Sequence, residues 1–382
     1  MSIFVRRDCP GRSVLEFTLM HIRSTLLVGL LTAAFIAQGS DDLPFTQVPA
    51  EFVGQFSAGK SPLTFNDGSK VKTAADWQRR RAEILADWHT IMGAWPAVIE
   101  KPKIEVLETK SRGEGITQQK VSVEIAPGQT GDGYLLLPSG RVPHPAVFVP
   151  YYDPETSAGL SGKPLRDFAW QLARRGFVTL SIGSPGGDAR LPVLSAGAQC
   201  QPLSYLGYIS ANMWYALASL PDVDPKRIGI VGHSYGGKWS LFGSCLFEKY
   251  ACAVWSDPGI VFDETRGSIN YQELWYLGLD SVMTRKPGLV RADSPRTGAY
   301  KVLIEQGHDL QELHALMAPR PFLVSGGAED PPKRWASLNH AIAVNQLLGV
   351  TGRVAMTNRE KHDPNEESNE QIYRFFEYWL KR

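Results

Sequence analysis

Gly232-His233-Ser234-Tyr235-Gly236-Gly237 is the stretch of sequence that decides the fold. It follows the apolar run 228–231, which has the composition of a strand, and precedes 238–247, which has that of a helix. A strand, a tight glycine-rich turn and a helix form the context of a G-x-S-x-G nucleophile elbow. Glycines on both sides permit the strained backbone that exposes a serine Oγ. The stretch therefore predicts that Ser234 is a nucleophile, with a glycine-rich helix start as the alternative.

The chain on either side of this stretch alternates between short apolar segments and helical ones. Strands are predicted at 146–149, 177–182, 228–231, 251–255, 322–325 and 354–356, and helices at 165–175, 206–220, 238–247, 335–348 and 366–381. Almost continuously apolar strands are expected where helices cover both faces of a parallel sheet. Three alternating segments, 103–108, 118–126 and 134–137, predict antiparallel strands before it. The pattern thus predicts an α/β fold with a mostly parallel, doubly wound sheet.

The N-terminus has the pattern of a leader and signal peptide over 1–39. Met20-His21-Ile22-Arg23 precedes the apolar run 26–36, and Ala37-Gln38-Gly39 offers a small-x-small cleavage site. The run is short for a bilayer span, so we expect a secreted or periplasmic protein without stable membrane insertion after cleavage. An uncleaved N-terminal anchor is the alternative.

Two regions are expected beyond the signal peptide. Residues 40–110 form an N-terminal extension whose helix starts near Thr73 and Asp76, and residues 111–382 form the catalytic domain. Within that domain, 257–320 is too long for an ordinary connection, which predicts a lid or insertion over the site.

A serine hydroxyl needs an imidazole to accept its proton and a carboxylate to orient that imidazole. His362 follows the last predicted strand and is the predicted base, because a loop there returns to the carboxyl edge of the sheet. Asp330, after strand 322–325, is the preferred acid; Asp257, after strand 251–255, is the alternative, and Glu329 ranks behind both. The serine, acid and histidine then follow the chain order of known hydrolases with this elbow.

The oxyanion formed during attack needs backbone N–H donors that point at it in advance. Tyr235, directly after the nucleophile, is predicted to supply one. The other is predicted from the loop after strand 146–149, where Pro150 has no N–H and Tyr151 or Tyr152 can donate. Tyr152, Trp255 and Trp275 are expected to line the pocket, where aromatic rings stack on sugars. Rim packing is an equal alternative for Tyr152, and core or lid packing is the more frequent role of aromatic residues at the positions of the two tryptophans.

Composition excludes several classes of partner. The chain has 382 residues, with 40 Lys and Arg against 39 Asp and Glu, so no charged field attracts nucleic acid. After the leader only Cys200, Cys245 and Cys252 remain, which is neither a disulfide framework nor a metal-ligand spacing. No metal or cofactor is expected because the triad works with water alone. The expected partner is a small-molecule or polysaccharide ester, and the sequence specifies no oligomeric state.

With these residues placed, the chain resembles secreted bacterial carbohydrate esterases of the α/β-hydrolase superfamily. The groups concerned are the glucuronoyl esterases, the acetyl xylan esterases and the dienelactone hydrolase-like proteins. The elbow carries the resemblance together with Phe65-Asn66-Asp67-Gly68, Trp77-Gln78-Arg79-Arg80-Arg81, Val223-Asp224-Pro225-Lys226-Arg227-Ile228 and Ala318-Pro319-Arg320-Pro321. It implies a serine hydrolase acting on acetyl or glucuronoyl esters of polysaccharide.

The sequence also departs from the glucuronoyl esterase pattern. Those enzymes place an arginine after the nucleophile, where this chain has Tyr235, and a glutamate where it has Asp257. Lys238 matches the lysine that they associate with sugar hydroxyls. A prolyl oligopeptidase-like peptidase is the first alternative, although the extension is too short for a propeller domain. A non-catalytic binding protein with the same fold is the second.

Overall fold

A nine-stranded sheet runs through the part of the chain that the computed structural model describes, residues 43–382. The predicted leader and signal peptide lie outside the described residues. The strands are β1 (Ile104–Ser111), β2 (Ile116–Ala126), β3 (Gln129–Pro138), β4 (His144–Pro150), β5 (Val178–Ile182), β6 (Val223–His233), β7 (Cys252–Ser256), β8 (Phe322–Gly326) and β9 (Val354–Asn358). Their spatial order is β1-β2-β3-β5-β4-β6-β7-β8-β9.

The sheet has an antiparallel edge and a parallel body. β1, β2 and β3 pair antiparallel with one another, and β3 joins β5 in the same way. From β5 to β9 every neighbouring pair is parallel. All residues of β4, β5 and β7 are buried, as expected for strands covered on both faces. The predicted α/β fold with a mostly parallel sheet is confirmed.

Helices cover both faces of this sheet. They are α1 (Ala74–Met92), α2 (Pro154–Ser157), α3 (Phe168–Arg174), α4 (Pro202–Ala218), α5 (Tyr235–Leu246), α6 (Gly298–Glu305), α7 (Gln311–Leu316), α8 (Trp335–Leu347) and α9 (Glu366–Leu380). α3 and α9 pack on one face through residues such as Leu172 and Phe376. The remaining long helices bury their apolar residues in the larger core of the other face. Within residues 43–382, no helix is both long and apolar enough to cross a membrane.

The predicted extension helix, α1, packs directly on this larger core. It begins with a capping box between Thr73 and Asp76 and ends at Gly93. Trp77 and Trp88 are fully buried in the same core cluster as the sheet residues. The extension therefore shares its hydrophobic core with the body of the protein.

Residues 257–320 are largely packed into the larger core as well. Tyr271, Leu277 and Leu303 in this segment have no exposed surface. Its apolar surface is concentrated at one bend, where Leu279, Val282 and Met283 are exposed. The function of the segment as a lid stays a prediction.

Candidate active site

Ser234 stands at the junction between β6 and α5 with a strained backbone. Its φ of 57° and ψ of −113° are rare for a residue with a side chain, and its N–H donates to Ser256 O at 2.8 Å. The flanking glycines allow two close approaches. A Cβ on Gly232 would lie 2.2 Å from Gly236 O, and one on Gly236 would lie 2.3 Å from Pro150 O. The local geometry is therefore that of a nucleophile elbow, because only glycine fits on either side of the serine.

His362 lies within hydrogen-bonding distance of both Ser234 and a carboxylate. Its Nε2 is 2.9 Å from Ser234 Oγ, and its Nδ1 is 2.7 Å from Asp257 Oδ2. With Asp257 ionised, Nδ1 carries the proton and donates it to the carboxylate, so that Nε2 is free to accept the hydroxyl proton of the serine. The structure thus brings together the serine, the histidine and the alternative acid of the sequence analysis.

The preference for Asp330 as the acid was wrong. Both Asp330 oxygens accept backbone N–H groups instead, from Gly259 at 2.8 Å and from Ile260 at 2.6 Å. Asp257 follows β7, which is the direct neighbour of the nucleophile strand β6, whereas Asp330 follows β8, one strand further away. Glu329, the third candidate, pairs with Arg266 at 3.1 Å.

The two carboxylates differ in their surroundings although both are fully buried. Asp257 accepts N–H groups from Gly327 at 2.6 Å and from Asp330 at 2.9 Å, besides its bond to His362. Burial and the nearby Asp257 raise the pKa of Asp330 to about 7, while its two backbone hydrogen bonds act in the opposite direction.

A second histidine packs against the ring of His362, and an arginine binds its backbone carbonyl. The His233 ring lies 4.7 Å from the His362 ring, and its Nδ1 is 3.1 Å from Ser256 Oγ. Burial, with the nearby His362, holds the pKa of His233 well below its ordinary value, so His233 is neutral. Arg359 donates to His362 O and, at 2.8 Å, to Ser325 O. Arg359 was not predicted from the sequence, where its only signal is its position directly after the last strand.

One of the two predicted oxyanion donors is unavailable. The N–H of Tyr151 donates to Ile182 O at 3.2 Å, as an extension of the β4–β5 ladder, and this corrects its predicted role. Tyr235 occupies the first position of α5, where a backbone N–H has no intrahelical acceptor. Its side chain is buried, with the hydroxyl 3.0 Å from Ser184 Oγ and the ring 4.9 Å from that of Tyr152. Tyr152 is 41% exposed and lies at the rim.

Two predicted sugar-binding residues belong to the interior. Trp255 has no exposed surface, stacks on Phe322 at 4.4 Å and donates to Ser244 Oγ, so it cannot line a pocket. Lys238 is 4% exposed, and its Nζ donates to Pro258 O; its role toward sugar hydroxyls stays a prediction. Trp275 is half-buried, with the Arg190 guanidinium 5.9 Å from its ring.

A cavity of about 420 Å³ opens beside Tyr152. Ser184 forms part of its wall, and three acidic residues, Asp132, Asp153 and Glu155, also line it. Glu155 accepts from the Tyr134 hydroxyl at 3.2 Å, and Asp153 caps α2. The walls are rich in hydrogen-bond acceptors. Among residues 43–382, no group of three His, Cys, Asp or Glu side chains is placed to hold a metal ion.

The sheet topology, the elbow and the serine–histidine–carboxylate geometry define an α/β-hydrolase fold. The chain is also similar in sequence to a known protein. It is 25% identical over 258 residues to a 4-O-methyl-glucuronoyl methylesterase of Schizophyllum commune (strain H4-8 / FGSC 9210), an alignment that covers 65% of this chain. The chain spans about three fifths of that relative's length, 61%. No family model matches the chain.

Solved structures agree on the fold. A glucuronoyl esterase from Solibacter usitatus superposes with a TM-score of 0.66 at 18% identity, covering 87% of this chain and 98% of the other. A promiscuous CE15 esterase from a marine bacterial metagenome gives 0.63 at 18% identity with the same coverage. A putative acetyl xylan esterase from Bacteroides fragilis gives 0.54 at 15% identity, covering 80% and 78%. The resemblance to carbohydrate esterases, noted from the sequence, is confirmed.

Proposed function

We propose that this protein is a serine esterase that cleaves carboxylic esters attached to polysaccharide. The observation that carries the proposal is the continuous hydrogen-bonded series from Ser234 Oγ through His362 to Asp257, with distances of 2.9 and 2.7 Å. Such a series lets an imidazole remove the serine proton while a carboxylate stabilises the resulting imidazolium. The similarity to glucuronoyl esterases in sequence and fold supports the same reaction class.

The reaction takes two steps. Ser234 Oγ attacks the ester carbonyl, His362 Nε2 accepts the hydroxyl proton and gives it to the leaving alkoxide, and an acyl-enzyme forms. Water then attacks the acyl carbonyl with His362 again as base, which releases the acid and restores the serine. The N–H groups of Tyr235 and Tyr152 stabilise the oxyanion in both steps. Tyr152 takes the place of Tyr151 in this role, because the N–H of Tyr151 already donates within the sheet.

The acceptor-rich cavity beside Tyr152, which neither Ser234 nor His362 lines, supports a sugar as a part of the substrate outside the catalytic centre. Carboxylate and hydroxyl oxygens, here from Asp132, Glu155 and Ser184, are suitable acceptors for the hydroxyl donors of a carbohydrate. The proposed substrates are acetyl or glucuronoyl esters. The reaction needs neither a metal nor a cofactor. Export through the predicted signal peptide at 20–39 would bring the enzyme to polymers outside the cell.

The test is a Ser234→Ala protein assayed on acetylated xylan, a benzyl glucuronate ester, feruloyl esters and proline peptides. We expect kcat on the best ester to fall at least about 10³-fold, because the nucleophile is lost while binding remains. Ser240→Ala is the matched control, since Ser240 is a buried serine of the same helix whose Oγ has no partner within residues 43–382.

Three outcomes would contradict the proposal. Unchanged ester hydrolysis by Ser234→Ala would remove the mechanism, and faster turnover of a proline peptide than of any ester would favour the peptidase alternative. Failure of a fluorophosphonate probe to label Ser234 in the wild-type protein would favour the non-catalytic alternative.

A further inference from the structure

The turn that carries Asp257 has a strained start. We call residues 257–260 the acid turn. Asp257 has a φ of 50°, in the left-handed region that residues with a Cβ avoid, and Gly259 follows with 79°. A non-glycine residue keeps such a backbone only where the surrounding structure over-determines it. The contacts that hold the acid turn therefore decide where the Asp257 carboxylate lies.

Three buried side chains from separate parts of the chain bind the acid turn. Asp330, after β8, accepts the N–H of Gly259 and that of Ile260. Lys238 on α5 donates to Pro258 O, and Tyr271 donates through its hydroxyl to Gly259 O at 2.8 Å. Asp330 and Tyr271 have no exposed surface. Water cannot replace these bonds, so each lost bond leaves a buried backbone group unpaired.

The hydrogen bonds between the two loops run in both directions. While the Asp330 side chain holds the acid turn, the Asp257 side chain accepts the N–H groups of Gly327 at 2.6 Å and of Asp330 at 2.9 Å. The two loops after β7 and β8 are thus locked to each other through both carboxylates. Room for this arrangement depends on Gly327, because a Cβ there would lie 2.7 Å from Asp257 Oδ2.

We propose that Asp330, together with Lys238 and Tyr271, is a positioning residue that holds the Asp257 carboxylate against His362. The proposal rests on the proposed function, in which His362 is the base that Asp257 orients. Asp330 touches no reacting atom, and its effect reaches the reaction through the backbone of the acid turn.

Asp330→Asn tests the role of the carboxylate. The amide keeps the side-chain volume but has one acceptor oxygen for the two N–H groups that converge on the site. We expect kcat on the best ester to fall on the order of 100-fold with KM within two-fold, because a small displacement of a catalytic group impairs chemistry more than binding. The downfield proton resonance of the His362 Nδ1–H···Asp257 hydrogen bond should shift or disappear.

Tyr271→Phe is the charge-neutral test, and it also decides the case if Asp330→Asn does not fold. It removes one hydroxyl from the acid turn and keeps the ring that lies 4.5 Å from Lys238 Nζ. A smaller fall in kcat is expected. The downfield resonance of the His362 Nδ1–H should also shift, because the same Asp257 carboxylate is displaced.

Asp309→Asn is the matched control. Asp309 also accepts two backbone N–H groups, from Phe262 at 2.8 Å and from Leu310 at 2.6 Å, but both bonds end on its Oδ1 and it does not contact the acid turn. The amide oxygen of Asp309→Asn keeps both bonds, so this variant controls for the loss of a buried carboxylate alone, and kcat and the His362 proton resonance should stay within the wild-type range.

Two results would overturn the positioning role. One is a loss of Tm without change in kcat or in the His362 resonance in Asp330→Asn and Tyr271→Phe. The other is an equal loss of kcat in Asp309→Asn. The resonance does not depend on turnover. A wild-type protein that shows it but hydrolyses no ester would contradict the proposed function alone.

Discussion

Lys238 holds its ammonium group where water does not reach. Its Nζ lies 4.5 Å from the centre of the Tyr271 ring and donates to Pro258 O. Burial lowers the pKa of Lys238 to about 8 from an ordinary value of 10.5, against the opposing attraction of Asp330 and other nearby carboxylates. Between these two pH values the unfolded chain holds a proton that the folded protein has released. The free energy of unfolding therefore increases as the pH rises over this interval.

Replacement of Lys238 by methionine tests this linkage. From pH 8 to 10.5, the difference in unfolding free energy between wild type and Lys238→Met should move in favour of wild type by about 3 kcal/mol. Below pH 8 both states of the wild-type lysine are protonated, so the difference should be flat. Urea unfolding in steps of pH measures it. A difference that stays flat up to pH 10.5 would mean that Lys238 titrates normally in the folded protein.

The sequence predicted Ser234 and His362 but ranked the two acids in the wrong order. Both carboxylates follow parallel strands whose carboxyl ends meet at one edge, and neighbouring strands lie only about 4.8 Å apart. The choice depended on the hydrogen bonds between the acid turn and the loop after β8, which join residues 70 to 73 positions apart and leave no local pattern. Trp255 was misplaced for a simpler reason. Successive strand residues point to opposite faces, and its neighbour Ser256 is the one that faces His233.

At the scale of elements, the loop between β9 and α9 depends on one arginine. Arg359 donates to Ser325 O at 2.8 Å, to Asp363 O at 2.9 Å and to His362 O. These bonds fasten the histidine loop to the end of β8. Burial lowers the pKa of Arg359, and nearby carboxylates, Asp257 first among them, offset part of this effect. The guanidinium is suited to the task because its rigid fork can satisfy several carbonyl oxygens at once.

Arg359→Met should therefore impair catalysis. We expect kcat to fall at least about 10-fold, because the loop that carries His362 loses its attachment to β8. Arg353→Met is the control: Arg353 packs over Trp379 at 4.6 Å, just before the start of β9, away from the histidine loop. Steady-state kinetics of both variants beside their Tm values measure the effect. Equal kcat values for the two variants would show that Arg359 serves stability alone.

The elements that the sequence predicted are those with a strong periodic signal. The parallel strands and α1, with its capping box at Thr73, were found within a few residues of their bounds. The short helices α2 and α6 were not predicted, because segments of four and eight residues give no complete amphipathic pattern. For the same reason, the sequence predicted no boundaries of helices within residues 257–320, although most of the apolar residues there are buried.

At the scale of the whole molecule, a buried ion pair joins the extension to the body. Arg80 on α1 donates to Glu312 on α7 at 3.1 Å, with side chains that are 1% and 0% exposed. Trp88 also donates to Glu312, and His308 lies against the same carboxylate. A buried charge that loses its partner is strongly destabilising, so this contact makes the stability of the body depend on α1.

Glu312→Gln should lower the free energy of unfolding by about 2 kcal/mol, because Arg80 loses its fully buried carboxylate partner and keeps the partly exposed Glu83. Glu370→Gln is the control, since it breaks the exposed pair with Arg175, which contributes under about 1 kcal/mol. Because α1 and the sheet share one core, both variants should unfold in a single transition seen alike by tryptophan fluorescence and circular dichroism. An early separate transition in Glu312→Gln, followed by a wild-type main transition, would show that the extension folds as an independent unit.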